Sequence, residues 1–373
     1  MAATRTKTFV RLGSMALCAA LGLAALPAAS AEMSEIHVSR QYGISYLPLM
    51  IMEDQKLIEK HAKAAGVDVK VEWSKFASGA VMNDALLSGN LQFASGGVGP
   101  FTTLWAKTRG NLDVKATSAI NSMPLFLVTN NPKVKSVKDF TDKDKIALPA
   151  VKVSIQAVTL QMAAEKAFGE GQQNKLDHLT VSMAHPDALT ALVSGKSEVT
   201  AHLGSPPFQY QELERPGMHK VFSSYDVLGG PATFNVVWTT TKFHDENPKI
   251  YAAFMAALDE ATATINRDKR AAGEAYLRIT KDKDSLDDIV KMLNDPAIVY
   301  TTTPNNVMKY VDFMYKVGSI KVKPASWKEM FFSSAHKLSG SCWPWSPRRW
   351  ICLISQRSGR LRRASARTCT ARR

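Results

Sequence analysis

Residues Asn90–Ala106 read NLQFASGGVGPFTTLWA, and this stretch decides the fold class. The apolar segment LQFAS is typical of a short buried strand. The glycine-rich segment Ser95–Gly99 follows it, and Pro100 then stands where a helix tolerates proline, in its first turn. A strand that passes through glycines into a helix often holds an anion, because the first N–H groups of the helix point toward the ligand. The stretch therefore predicts a strand, a glycine loop and a helix beside a ligand.

The same alternation of strand and helix continues along the chain. VDVKVEW (67–73) and LTVSMA (179–184) are typical of strands, whereas SIQAVTLQMAAEKAFG (154–169) and PDALTALVSG (186–195) have helical spacing. LPLMIMEDQKLIEKHAKAAG (47–66) predicts one helix that ends at its glycine. Alternating strands and helices favour an α/β fold with mostly parallel sheets covered by helices.

The first 31 residues predict an export signal. Three basic residues and no acidic residue precede the apolar run LGSMALCAALGLAAL, and ASA follows at Ala29–Ala31. Signal peptidase reads this pattern, so we expect cleavage after Ala31 and an exported, soluble protein. The alternatives are an uncleaved membrane anchor and a lipoprotein built on Cys18.

The C-terminal end is strongly basic. From Cys342 onward it holds nine arginines, no lysine and no acidic residue. Such a tail can bind nucleic acid or acidic lipid, but its lack of periodicity favours a disordered or out-of-frame end at residues 341–373. Of the net charge of +14, +9 lies in this tail and +3 in the first 31 residues, so residues 32–341 carry only +2. Nucleic-acid binding by the folded part is therefore not expected.

Catalytic signatures are missing from the sequence. The glycine stretch places Thr102 where a dinucleotide fingerprint needs its third glycine, and no P-loop, nucleophile elbow or zinc-protease motif occurs. All four cysteines lie in the two ends, so the body offers neither disulfide nor thiolate. We interpret His185 and Asp187 as the start of a helix, and His202 as either a ligand contact or a structural histidine. These features predict a binding protein without catalytic residues, metal or cofactor.

Polar, mostly uncharged loops follow the predicted strands. In open α/β sheets ligands bind beyond the carboxyl ends of the strands, so these loops are the candidate site. One helix N-terminus contributes roughly 0.3–1 kcal/mol to binding an anion, whereas micromolar affinity needs about 8 kcal/mol. Several loops must therefore converge in a cleft. The loops are Tyr42–Tyr46, Lys75–Gly79, Ser95–Gly99, Asn121–Pro124, Ala150–Ser154, Ala184–Asp187, Gly204–Phe208 and Leu228–Thr233.

Five segments carry a resemblance to a known family: YLPLMIMEDQKLIEK, NDALLSGNLQFASGGVGP, VKDFTDKDKIALPAVKVSIQAVTLQMAAEK, DALTALVSGKSEVTAHLGSPPFQYQEL and PASWKEMFF. In order and spacing the chain resembles the periplasmic solute-binding proteins of ABC importers, in the nitrate/sulfonate/taurine branch. The resemblance implies a two-lobed, type II-like α/β fold with the ligand cleft between the lobes. Lobe 1 would comprise 32–124 and 235–340, lobe 2 would comprise 125–234, and the chain would cross near 125–130 and 235–241.

The resemblance also implies a function. It implies a monomer in the periplasm that captures a small solute, such as a sulfonate, nitrate, taurine or a related organic acid, and delivers it to a membrane permease and ATPase. The alternatives are an exported enzyme of the pyrimidine-synthesis type, a binder of aromatic compounds walled by Tyr42, Tyr46, Phe76 and Phe208, and a binder of nucleic acid or membrane through the arginine tail. The implied ligand contacts are Tyr46, Ser78, Gly79 and Gly97 in lobe 1, Ser154, Ile155, Gln156 and Ser205 in lobe 2, and Met123 and Thr233 near the hinge.

Overall fold

The computed structural model describes residues 31–340 of the chain. The predicted export signal, apart from its last residue, lies outside these described residues. The basic tail lies outside them too, together with all four cysteines. Both therefore stay predictions.

The described part alternates strands and helices along most of its length. Its strands are β1 Glu35–Arg40, β2 Lys70–Lys75, β3 Ala94–Gly97, β4 Lys115–Ala119, β5 Asn121–Ser122, β6 Phe126–Thr129, β7 Ile146–Leu148, β8 Thr180–Ser182, β9 Ala201–Leu203, β10 His219–Ser223, β11 Asn235–Thr239 and β12 Val299–Tyr300. Its α-helices are α1 Leu47–Asp54, α2 Leu57–Ala64, α3 Gly79–Leu87, α4 Val98–Lys107, α5 Ile155–Phe168, α6 His185–Ser194, α7 Phe208–Leu213, α8 Ser224–Leu228, α9 Thr241–Glu246, α10 Pro248–Arg267, α11 Lys269–Thr280, α12 Leu286–Leu293, α13 Val307–Lys316 and α14 Trp327–Met330.

One sheet takes all its strands from residues 126–223, in the order β10-β6-β9-β7-β8. Strand β7 pairs in parallel with β8 and β9, whereas β6 pairs antiparallel with β9 and β10. Four of the five strands therefore run in one direction and β6 runs in the other.

Strands β5 and β12 form a separate antiparallel pair, and the remaining five strands have the same plan as the first sheet. Strands β1 and β2 pair in parallel, and β11 lies antiparallel between β3 and β4. A parallel bridge between Val38 and Phe93 joins β1 to β3, which gives the order β2-β1-β3-β11-β4. In each sheet one strand runs against the other four: β11 in the first lobe and β6 in the second. The chain enters the second lobe through β6 and returns to the first through β11. The fold is two-lobed α/β with mostly parallel sheets, as predicted; the limits of the lobes at 124/125 and 234/235 stay predictions.

The glycine stretch differs from its prediction. Gly96 and Gly97 belong to β3, and α4 begins at Val98 without an intervening loop. The cause is β11, which pairs with β3 as far as Gly97 opposite Asn235 and so keeps the glycines extended. Gly97, the last residue of the strand, therefore directly precedes the first residue of α4.

The segment 47–66 also differs, because it forms two helices. Lys56 adopts a left-handed backbone with φ +50° and separates α1 from α2. Helix α1 is buried along Leu47–Met52, whereas α2 buries Leu57, Ile58 and Ala62. The break at Lys56 lets α1 and α2 pack against the core in different directions. Gly66 ends the second helix with φ +75°, as predicted.

Most of the core of the described residues belongs to one large cluster that continues through both lobes. In the first lobe Phe93, the residue before β3, stacks on Phe254 of α10 with ring centroids 3.9 Å apart. A smaller cluster in the second lobe contains Val128 and Leu192. Within residues 31–340, no helix combines the length and apolar character that crossing a bilayer requires.

Candidate ligand-binding site

A small cavity lies between the two lobes, and five helices begin at it. Tyr46 directly precedes α1, Gly79 is the first residue of α3, and Gly97 directly precedes α4. From the second lobe, Ser154 directly precedes α5 and His185 is the first residue of α6. The N-terminus of a helix carries partial positive charge and N–H groups without an intrahelical acceptor. The cavity is therefore surrounded by positive helix ends although no charged side chain other than His185, if protonated, lines it.

The lobes touch closely at this cavity. A Cβ atom on Gly97 would lie 2.4 Å from Cγ2 of Ile155, and one on Gly99 would lie 3.2 Å from the Ile155 nitrogen. A Cβ on Gly43 would lie 2.7 Å from the carbonyl oxygen of Pro206, which accepts a hydrogen bond from the Ile44 N–H at 3.2 Å. The glycines are needed because any side chain would hold the lobes apart.

The cavity volume is about 20 Å³ in this closed arrangement. A single buried water needs about 10–15 Å³ on the same measure, so the space suits about one water molecule. A nitrate or sulfonate is larger than water. Its capture requires the lobes to separate and to close again around it.

Tyr46 presents a protonated hydroxyl to the first-lobe side of the cavity. Burial raises the pKa of its phenol, although hydrogen bonds with Gln41 and Asn235 oppose the shift. The neighbouring Ser45 is fixed by the Asn121 amide, which donates to its carbonyl oxygen at 2.6 Å. Because its pKa is raised, the Tyr46 phenol stays protonated at neutral pH and can donate a hydrogen bond.

A line of buried polar side chains runs from the cavity into the second lobe. The Gln156 Nε2 lies 3.2 Å from His185 Nε2, and His185 Nδ1 lies 2.8 Å from His202 Nε2. His202 Nδ1 contacts Glu212 Oε1 at 2.5 Å. All four side chains are buried. Burial, with the neighbouring His202 as the second cause, lowers the pKa of His185 well below its ordinary value, so this ring stays neutral near pH 7.

Ser205 supplies a further polar group. Its side chain lines the cavity and is 1% exposed. Its Oγ finds no hydrogen-bond partner among the described residues. A buried hydroxyl without a partner costs free energy, so this atom is a candidate contact for a ligand.

Seven of the ten predicted contacts line the cavity together. Ser78 precedes Gly79 and is buried at the start of α3. Thr233 is buried, and its Oγ1 accepts from the Asn305 N–H at 2.8 Å outside the cavity lining. Met123 is also buried outside the lining. Ligand contact by any of the ten stays a prediction. The seven are Tyr46, Gly79, Gly97, Ser154, Ile155, Gln156 and Ser205.

Other lining residues were not among the predicted contacts. His185 does begin a helix as interpreted, but its ring also faces the cavity. Tyr42 is predicted as part of an aromatic wall and, like His185, lies within a predicted loop. The other four residues each lie one position outside a predicted loop, and no spacing rule distinguished them. The residues are Gln41, Tyr42, Pro100, Pro149, His185 and Phe234.

A larger outer cavity of about 470 Å³ lies along the rim and shares Tyr42 with the inner one. The Lys75 ammonium stands 4.7 Å from the centre of the Tyr42 ring. Phe208 lines this outer cavity, whereas Phe76 packs against the core. The charged residues of the outer cavity are Arg40, Lys75, Arg215, Lys281, Lys283, Glu214, Asp282 and Asp284.

Comparison with protein families decides the relationship of the chain. The sequence pattern of the NMT1-like family matches residues 30–279. The chain belongs to the NMT1-like family. A comparison with curated proteins finds no match.

Solved structures with the same fold include binding proteins for sulfonates and nitrate. The aliphatic sulphonate binding protein SsuA of Escherichia coli is 18% identical, with a TM-score of 0.60 over 81% of this chain and 93% of its own. SsuA of Xanthomonas axonopodis pv. citri, bound to MOPS, is 17% identical, with a TM-score of 0.61 over 82% and 99%. The nitrate-binding protein NrtA of Synechocystis PCC 6803 is 15% identical, with a TM-score of 0.57 over 82% and 86%. The periplasmic-binding-protein fold and the resemblance to the nitrate and sulfonate branch are confirmed.

Proposed function

We propose that this protein is the periplasmic solute-binding component of an ABC importer, and that it captures a small anionic solute and passes it to a membrane permease. One observation carries the proposal: five helix N-termini from two lobes meet at one cleft. At roughly 0.3–1 kcal/mol each, these ends together contribute a few kcal/mol to the binding of an anion.

The hydroxyl and amide donors of the cleft supply further binding energy. Tyr46, Ser205 and Gln156 surround the same small space. A net hydrogen bond to a charged partner contributes about 1.5–3 kcal/mol, so three such bonds and the helix ends together reach the about 8 kcal/mol of micromolar affinity.

The solved structures with the same fold favour solute binding for transport over catalysis. SsuA proteins bind sulfonates and NrtA binds nitrate. Among the described residues of this cleft, the titratable side chains are two tyrosines and His185. An enzyme of the pyrimidine-synthesis type would require a reacting group among these three.

A thermal-shift panel tests the proposal. The probes are nitrate, ethanesulfonate, taurine, benzoate and thymine, each in sulfonate-free buffer. A ligand at 100 times its Kd stabilises the folded state by about 2.7 kcal/mol, which is a rise in Tm of roughly 5–11 °C at about 2–4 °C per kcal/mol. We expect an anionic probe to give this rise without being consumed. Product formation would instead favour the enzyme, and an unchanged Tm with every probe would contradict the proposal.

Aromatic carboxylates form the second candidate class. Tyr42, Phe208 and Phe234 place their rings along the inner and outer cavities. Stabilisation by benzoate but not by ethanesulfonate or nitrate would favour this class.

A further inference from the structure

Within residues 31–340, helix α10 receives no capping hydrogen bond from the side chain that precedes it. The helix begins at Pro248, which has no N–H group, and the preceding residue is Asn247. The Asn247 side chain is used elsewhere, because its Nδ2 donates to the Phe243 carbonyl oxygen at 3.2 Å and its Oδ1 accepts from the Met33 N–H at 2.8 Å. The first N–H groups of this 20-residue helix therefore need an acceptor from another part of the chain.

Glu32 supplies that acceptor, although it lies 217 positions before Lys249 in the sequence. Its Oε1 accepts from the Lys249 N–H at 2.9 Å, and its Oε2 accepts from the Ile250 N–H at 2.8 Å. A carboxylate is a favoured partner here, because the N-terminus of a helix carries partial positive charge. The helix continues into the core of the first lobe, where Ile250 and Phe254 are each buried. Glu32 therefore ties the start of the described chain to a core helix.

Two hydrogen bonds also hold the backbone that follows Glu32. One is that of the Met33 N–H described above, and in the other the Ser34 carbonyl oxygen accepts from the Lys70 N–H at 2.9 Å. Ala31, by contrast, is exposed. The chain therefore changes from exposed to docked across the bond between Ala31 and Glu32. This is the bond at which the sequence predicts removal of the export signal.

Docking of this segment restricts proteolysis of the bond. A protease takes residues from both sides of the scissile bond into its active site, so the tolerance of a segment to cleavage depends on the burial and hydrogen bonding of its backbone. With Glu32 docked, the residues after the bond are held against α10 and β2, and the segment must open locally before it can be cut. Before the first lobe folds, α10 and β2 have not formed, and the bond is accessible.

We propose that the bond between Ala31 and Glu32 is a processing site that signal peptidase can cut only until the first lobe folds, and that Glu32 then caps α10 as the first residue of the exported chain. The reaction is hydrolysis of one peptide bond: water adds across it, Ala31 keeps a new carboxylate and Glu32 a new α-amine. Cleavage therefore precedes docking. A cut further along the chain would remove the cap of α10.

Timed cleavage of the full chain by excess signal peptidase in mild detergent tests this order. One sample is folded before the peptidase is added, and the other is diluted from urea directly into the peptidase. We expect the initial rate to be about ten-fold lower or more in the folded sample, because opening must break at least one hydrogen bond to a charged group. Intact mass should show a product that begins at Glu32. Equal rates, a product that begins elsewhere, or no cleavage of the diluted sample overturns the proposal.

E32A tests the contribution of the cap, and E35A is its matched control. Glu35 lies three residues further on and forms an exposed ion pair with Lys70, which contributes little to stability. We expect E32A to remove most of the difference in rate between the two samples and to lower the Tm of the exported chain by roughly 2–4 °C, the shift for loss of one helix cap. E35A should keep both wild-type values. Each variant is compared with its own diluted sample, so any effect of the new residue on the peptidase itself cancels.

N247A is a second disruption that leaves the sequence around the cleaved bond unchanged. It removes the acceptor of the Met33 N–H, so it should also speed cleavage of the folded sample. Wild-type rate ratios in both E32A and N247A would overturn the proposal. If either variant fails to fold, the comparison of folded and diluted wild type still decides it. These measurements use no solute, so their failure would leave the proposed binding function standing.

Discussion

The hydrogen that Gly97 carries in place of a side chain points at Ile155 of the opposite lobe, so closely that a Cβ there would lie 2.4 Å from Ile155 Cγ2. Gly97 ends β3 in the first lobe, and Ile155 begins α5 in the second. The two residues therefore limit how far the cleft can close. A glycine is required here for the approach of the lobes, since the Gly97 backbone is extended with φ −65° and any residue could adopt it.

Replacement of Gly97 by alanine should weaken ligand binding without weakening the fold. The added Cβ prevents the last step of closure, while the separated lobes accommodate it. We expect at least a ten-fold rise in Kd for the probe that binds the wild type, and a change in the free energy of unfolding within about 0.5 kcal/mol. Small-angle scattering should also show a larger radius of gyration with ligand than for the wild type.

G273A is the control for this prediction. Gly273 lies in α11, where a Cβ would meet Leu286 at 3.1 Å within the same lobe. This variant should change the free energy of unfolding and leave Kd as it is. Equal Kd values for G97A and wild type would show that closure does not pass through this contact.

Ser154 can be tested for a role beyond capping. Its Oγ accepts from the Ala157 N–H at 3.1 Å at the start of α5. Ser285 Oγ accepts from the Asp288 N–H at 3.1 Å at the start of α12 and also donates to Asp288 Oδ2. Loss of such a cap costs about 1 kcal/mol, so S154A and S285A should each lower the free energy of unfolding in urea titrations. We expect only S154A to raise Kd. An unchanged Kd in S154A would leave Ser154 as a helix cap alone.

Ser205 and Ser122 form a second matched pair. Each has a buried Oγ without a partner among the described residues, but only Ser205 lines the cavity. Removing an unpartnered buried hydroxyl is nearly neutral or stabilising for the ligand-free fold. We expect both alanine variants to keep or slightly raise Tm without ligand. Only S205A should reduce the Tm rise that the ligand produces, and an equal rise in both variants would exclude Ser205 as a contact.

The predicted loops contributed Gly79, Gly97 and Ser154 to the lining of the cavity, because the carboxyl ends of parallel strands meet at one edge of a sheet. Contact of these residues with a ligand stays a prediction. The line from His185 through His202 to Glu212 was not predicted, since its members lie on α6, β9 and α7. Only the packing of these elements brings them together.

Local features that escaped prediction have equally local causes. Helix α7 spans six residues, which is too short for helical periodicity to be recognised. The left-handed backbone of Lys56 divides a segment whose apolar spacing is helical on both sides. The pairing of β11 with Gly97 depends on a strand 138 residues later in the chain, and no local pattern contains that information.

The stability of the protein should fall in acid because of His185. Burial lowers the pKa of His185 below 6.5 in the folded state, so between these two values the unfolded chain binds a proton that the folded chain does not. The free energy of unfolding is therefore undiminished above pH 6.5 and decreases as pH falls, by at most about 1.4 kcal/mol per pH unit from this group.

In urea titrations at pH 7.5, 6.5 and 5.5, the free energy of unfolding of H185Q should decrease less steeply with falling pH than that of the wild type. H178Q is the control for the loss of a histidine, because His178 is exposed and does not lie in the buried line. A wild-type slope in H185Q would mean that His185 takes up its proton in the folded protein as readily as in the unfolded chain.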